Sequence, residues 1–273
     1  MGRILLCSSK IAKQPYEFAD IGISVSSYEE LCFFLRTYLV LWMNTKKDES
    51  LADWIEEQLQ MKPLADKVRR CHNKRDMLFE IIKNGVYFNE QEILEIEKEY
   101  DDALGRKMWE KKLEMGNIYL YHKKYERALE CYDYILMQEE REITEEIIGK
   151  VYHNCGIAYA YSFEFDQAEE SFYNAYEKIW AEKSLNSYLL MLCMNNKEEE
   201  AMRKIKAMGL TRERYSAILD EIHISSRTYK GTSDYLKLQR GIFNKENGQS
   251  ESYARKKKEI LKKWKKEFRS ELV

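Results

Sequence analysis

The residues able to do chemistry are few and scattered. The histidines are His72, His122, His153 and His223, and the cysteines are Cys7, Cys32, Cys71, Cys131, Cys155 and Cys193. A general base works only within hydrogen-bond reach of its nucleophile or substrate. No histidine is accompanied by a serine, cysteine and acid at a spacing that would assemble such a group. Cys155 follows His153 by two positions, which on a helix turns the two side chains to different faces. There is no Cys-x-x-Cys and no pair of histidines at ligand spacing, so no metal site is expected. There is no Gly-x-Gly-x-x-Gly and no Walker-type lysine loop, so no cofactor is expected either. The reading is of a protein that is not an enzyme.

A second group of residues is charged. Arg255, Lys256, Lys257, Lys258, Lys262, Lys263, Lys265, Lys266 and Arg269 share the end of the chain with an apolar stripe of Tyr253, Ile260, Leu261, Trp264 and Phe268. A basic amphipathic helix can bind an acidic membrane surface, a nucleic-acid backbone or an acidic partner. It can equally cap a helical stack, with its stripe packed inward and its lysines solvated. The acidic segments from Glu90 to Asp102 and from Glu139 to Glu146 offer a third use, neutralising the basic helix within one molecule or between two copies, which would make a homo-oligomer. The overall net charge of −2 gives no support to nucleic acid or membrane as a partner of the whole chain.

The elements that position these residues are helical. Only two prolines and eleven glycines interrupt 273 residues, and the apolar residues recur at intervals of three and four. From Trp109 to Trp180 one pattern occurs twice. Tyr119 and Tyr159 stand three residues after Gly116 and Gly156. Tyr125 and Phe165 stand at nine, Ala128 and Ala168 at twelve, and Tyr132 and Phe172 at sixteen. Each copy reads as two helices joined by a short turn, with small residues where the helices approach and aromatics beside the crossing. Gly116 with Ala128, and Gly156 with Ala168, would form these crossings.

These offsets resemble the tetratricopeptide repeat, a helix–turn–helix unit of about thirty-four residues. The resemblance covers roughly a quarter of the chain and departs from the pattern in places. Lys112 stands where the family has an aromatic four before the first glycine. Met115 and Cys155 replace its leucine, and Glu140 and Trp180 its terminal proline. The spacing of Gly116 and Gly156 exceeds the family's period, which places an insertion at Gln138 to Glu142. Lys183 to Met208 reads as a degenerate third copy with its turn at Asn195-Asn196. The implied fold is all-α, a right-handed superhelix of antiparallel helix pairs. An unrelated antiparallel bundle is the alternative.

The resemblance implies a concave groove that takes a peptide or helix of another protein. Its lining would be Leu113, Asn117, Leu120, Tyr121, Asn154, Tyr161 and Lys183. Some family members grip a terminal carboxylate with lysine, asparagine and arginine. Asn117, Asn154 and Lys183 fit three of those slots, but Leu113 and Ser187 stand where two cations belong. A groove burying partner side chains on aromatics is therefore preferred over a full clamp. The function expected is that of an adaptor or scaffold.

Residues 105–273 are assigned to this repeat domain and residues 1–104 to a separate helical module. In the module, Ser26 and Ser27 before Glu29 and Glu30 start a helix running to about Trp42, and Pro63 fits the first turn of another. Asn84-Gly85 ends a helix and Asn89 starts the next. Arg3 to Cys7 and Ile23 to Val25 read as short strands. Further helices are expected around Thr211 to Ile222 and Asp234 to Phe243, with a turn at Asn247-Gly248. Cysteines on apolar faces suit a reducing, cytoplasmic location. Ile4 to Cys7 is too short for a signal peptide, Leu6 occupies the place of a myristoylation Ser or Thr, and the apolar run Leu31 to Met43 contains Arg36.

Overall fold

A computed structural model describes residues 9–46, 49–85, 87–195, 197–211 and 250–271, with isolated positions between 213 and 242. The chain is mostly helical, and it divides into two compact units, residues 1–122 and 123–273. The division falls later than the 104/105 boundary read from the sequence. The expected strand at Arg3 to Cys7 lies outside the described residues, as do most of the helices expected at 211–222 and 234–243 and the turn at 247–248.

The first unit opens with a hairpin of β1 (Tyr16–Phe18) and β2 (Ile23–Val25), antiparallel with Tyr16 opposite Val25 and Phe18 opposite Ile23. Pro15 precedes β1, and Gly22 ends the turn that leads into β2. Gly22 sits at φ 67°, where a side chain would be strained, and its N–H donates to the Phe18 carbonyl at 2.9 Å. Phe18 stacks on Phe34 with centroids 3.5 Å apart, which fastens the hairpin to the first helix.

Seven helices follow: α1 (Tyr28–Thr37), α2 (Leu39–Asn44), α3 (Ser50–Glu57), α4 (Lys62–Arg70), α5 (Lys74–Lys83), α6 (Glu90–Gly105) and α7 (Met108–Tyr121). Their starts carry the expected chemistry. The Ser27 side chain accepts from the Glu30 N–H, and Asn89 and Glu92 form a reciprocal capping box. Pro63 occupies the first turn of α4. The single helix expected from Ser26 to Trp42 is broken at Tyr38, whose φ of −114° and ψ of 39° are not helical. The break lets α2 turn onto α5: the Trp42 indole donates to the Lys74 carbonyl at 3.2 Å, and the Lys74 ammonium donates to the Trp42 carbonyl at 2.9 Å. Leu31, Leu35, Leu51, Ile55, Leu64, Leu78, Ile81 and Ile96 fill the core beneath.

The second unit holds α8 (Tyr125–Leu136), α9 (Glu145–Tyr161), α10 (Phe165–Ile179), α11 (Glu182–Met194), α12 (Glu198–Ala207) and α13 (Ser250–Glu271). Helices α8 to α12 are neighbours in chain order. Thr144 caps α9, accepting from the Ile147 N–H at 3.3 Å. One backbone register recurs. Counted from Gly116, Gly156 and Leu189, a helix ends at the same offset (Tyr121, Tyr161, Met194) and the next begins at the same offset (Tyr125, Phe165, Glu198). Ala128, Ala168 and Ala201 share a position and are fully buried. In the two clear copies the turn passes through a left-handed residue, Lys123 at φ 58° and Phe163 at φ 64°.

A methyl group on Gly156 would lie 2.6 Å from the buried Phe172 ring. Ala168 and Phe172 share a core with Leu185, Leu189 and Leu192 of α11 that extends to Ala201 and Ile205. Gly149 makes a second close approach, 2.6 Å from Ile179 by the same measure. Gly156→Ala should therefore cost about 1–3 kcal/mol by overpacking. Gly105→Ala, where a methyl meets nothing within 4 Å, should be neutral or gain up to about 1 kcal/mol. Urea denaturation of the two variants checks the contrast.

Candidate functional site

The residues proposed from sequence divide between the units. Leu113, Asn117, Leu120 and Tyr121 lie on α7 in the first unit; Asn154, Tyr161 and Lys183 lie on α9 and α11 in the second. On α7, Leu113 and Leu120 are half-buried and Asn117 is exposed. Tyr121 is 81 % exposed, and its ring meets the edge of His122 at 5.1 Å. His122 in turn shares a 2.9 Å hydrogen bond with the Tyr38 hydroxyl, which joins the end of α7 to the break between α1 and α2.

In the second unit a polar seam runs across α8, α9 and α11. The Asn154 amide donates to the hydroxyl of Tyr132 at 3.2 Å. Tyr132 is fully buried, so a hydroxyl in that core needs a partner. Asn154 is half-buried and bound inward, which makes it a brace between α8 and α9 rather than a free amide on a groove wall. One residue earlier, His153 Nδ1 lies 3.0 Å from the hydroxyl of the buried Ser184, stitching α9 to α11. The ring also lies 5.3 Å from that of Phe172. Burial, and then the nearby charge of Lys183, hold the His153 imidazole below its ordinary value of 6.5. Its Nε2 is buried and makes no hydrogen bond among the described residues. The tautomer with the proton on Nδ1, donating to Ser184, leaves only a lone pair unmatched.

A serine beside a histidine invites comparison with a hydrolase, and the geometry argues against that use. Ser184 is 1 % exposed, and no acid orients the imidazole from its other side among the described residues. Cys155, on the same helix, is buried, and burial followed by the Asp133 charge pushes its thiol up to about 12. A thiol held protonated does not attack. Among the described residues no group of three His, Cys, Asp or Glu could hold a metal ion.

The exposed part of this face is aromatic. Tyr161 is 61 % exposed and stacks on Tyr125, centroids 5.5 Å apart and planes 8° from parallel. Phe163, 70 % exposed on its left-handed turn, meets the edge of Phe165 at 6.1 Å. Lys183 is exposed. Below, Lys197 binds Asp166 at 3.0 Å and Glu169 at 2.8 Å, which ties the turn before α12 to α10. The exposed Phe163 is the residue that the sequence analysis left out. It lies at the turn, two residues before the half-buried Phe165.

On α13, Lys257, Lys262, Lys263 and Lys266 are exposed, Ile260 is buried and Trp264 is half-buried. Lys256 lies on the same helix, its side chain outside those described. The acidic segment of α6 is engaged within its own unit: Arg36 pairs with Glu95 and Glu99, Arg75 with Asp101, and Lys83 with Glu97.

Comparison of the chain with known protein families, with curated proteins and with solved structures finds no match.

Two outcomes test this seam. Asn154→Ala should cost roughly 1–3 kcal/mol, because it takes a hydrogen-bond partner from the buried Tyr132 hydroxyl. A double-mutant cycle with Tyr132→Phe should recover that coupling. The second outcome concerns pH. A histidine whose folded value is depressed binds its proton more tightly when unfolded, so its contribution is intact above pH 6.5 and is lost as pH falls through the folded value. The stability gap between the parent and His153→Asn should therefore narrow between pH 7.5 and 5.5, as read by urea midpoints.

Proposed function

We propose that the chain is a protein-interaction adaptor or scaffold, built on a tetratricopeptide-like superhelix of antiparallel helix pairs. It takes a peptide or helix of another protein along the face of the second unit that carries Tyr161, Phe163 and Lys183. The observation that carries this reading is the recurring register. Three helix pairs end and restart at the same offsets, the same alanine is buried in each, and the second pair's turn presents the exposed aromatics Tyr161 and Phe163. Large exposed aromatics are costly to leave in water and effective in binding, because they bury much area with few rotors. In this proposal Asn154 serves the fold, and the binding role in the second unit stays with the exposed side chains.

A cytoplasmic location is proposed on the chemistry of the thiols: Cys32, Cys71, Cys131, Cys155 and Cys193 are all buried and none is in a disulfide. Among the described residues no helix is long and apolar enough to cross a membrane. Self-association of two copies remains a further reading of the complementary charged segments.

A second reading rests on α13, whose exposed lysines flank a buried Ile260. That arrangement fits a cap that also offers cations to an acidic membrane surface or a nucleic acid. Capture from lysate separates the two readings. Tyr161→Ala with Phe163→Ala should release a partner that the parent retains, by about tenfold or more if these are anchoring residues. Reversal of Lys257, Lys262 and Lys266 to Glu should leave that partner bound. Loss with the lysine reversal alone, steeply weakened by salt, would instead establish the basic helix as the binding element.

A further inference from the structure

The first unit contains a cleft of about 400 Å³ lined by Phe33, Arg36 and Thr37 of α1, Tyr87 and Phe88 of the α5–α6 turn, and Glu92 and Glu99 of α6. That volume falls within the usual range of small-molecule sites. Its walls are aromatic. Tyr87 and Phe88 meet edge to face at 4.6 Å, and Phe33 stands 56 % exposed on a helix whose neighbouring Cys32, Phe34 and Leu35 are buried. Its charge is acidic, two carboxylates against one guanidinium, with Glu95 adding a third beside Arg36.

Arg36 shows which kind of group this wall holds. Its guanidinium carbon lies 5.7 Å from the Phe88 centroid, a cation set against an aromatic ring. Its ion pairs with Glu95 and Glu99 span 3.8 and 3.9 Å, longer than charge-assisted hydrogen bonds. The guanidinium therefore neutralises the carboxylates without gripping them. Glu92 is oriented by the capping box, its Oε2 accepting from the Asn89 N–H at 2.9 Å. A second cation entering the cleft would find aromatic rings, carboxylates in excess, and a resident charge loose enough to shift.

We propose that this cleft binds an organic ammonium group, seated among Phe33, Phe88, Glu92 and Glu99. The site is independent of the peptide face proposed for the second unit. An anion is disfavoured because it would meet at least two carboxylates for one guanidinium.

Isothermal titration of the full chain tests this with four probes: tyramine, a blocked Ala-Lys-Ala peptide, spermidine and inorganic phosphate. Saturable binding of an amine is expected, and phosphate should not bind. Phe33→Ala should weaken it by about two- to fivefold, the worth of one exposed cation–π contact. Glu99→Gln should weaken it by about threefold. Arg36→Gln should tighten it, because the resident competitor is gone. Stronger binding of a free amine assigns the site to a small molecule; stronger binding of the peptide assigns it to a basic segment of a protein. The proposal is overturned if no amine binds at 10 mM, if phosphate binds in place of the amines, or if Arg36→Gln abolishes binding while the variant keeps the parent's circular dichroism and melting temperature.

Discussion

The second unit is built on the close approach of α9 to α10. Gly156 brings the α9 backbone against the ring of Phe172, with no room between them for a methyl group. A contact this close buries apolar area that two helices carrying large side chains at the crossing would hold apart. Ala168 and Phe172 lie in one core with Leu189 and Leu192 of α11, and Ala201 of α12 closes the same core. A helical array of this kind is stabilised mainly through contacts between neighbouring elements, and the crossing is where that contact is made.

Polar groups inside such an array have to be matched, and the unit matches them between helices rather than within them. Tyr132 with Asn154 and His153 with Ser184 each join a different pair of helices. Both bonds lie beside the Gly156 crossing, and both restrain rotation of α9. That leaves exposed side chains such as Tyr161 and Phe163 projecting from a braced helix end, which would limit the ordering cost of the partner binding proposed above. The first unit uses related means at its own break, where Tyr38 and His122 are joined by a hydrogen bond and Trp42 and Lys74 exchange hydrogen bonds.

Much of this was legible in the sequence because it is local. Ser27, Asn89 and Thr144 announce helix starts by their own hydrogen bonds, and Pro63 marks a first turn by its missing donor. The register of glycine, alanine and aromatics gives the hairpins, since its intervals are those of a helix. What sequence did not give depends on distant partners. Tyr16 to Phe18 became a strand because it pairs with residues 23–25 and stacks on Phe34. The break at Tyr38 answers to contacts of α2 with α5 and of Tyr38 with His122. Asn154 looked like a groove amide because its spacing said nothing of Tyr132, twenty-two residues earlier. The cleft was invisible for the same reason: its lining comes from three separate stretches, Phe33 to Thr37, Tyr87-Phe88 and Glu92 to Glu99.

The central claim is that partners meet the turn-edge aromatic face of the second unit. Photo-crosslinking tests it most directly, with a benzoylphenylalanine placed in turn at Tyr161, at Arg203 on α12 and at Lys262 on α13, all three exposed. The face proposed here predicts a discrete adduct with another protein from position 161 and none from 203 or 262. Adducts from 203 or 262 with none from 161 would contradict it, and would place the binding surface on a different side of the unit.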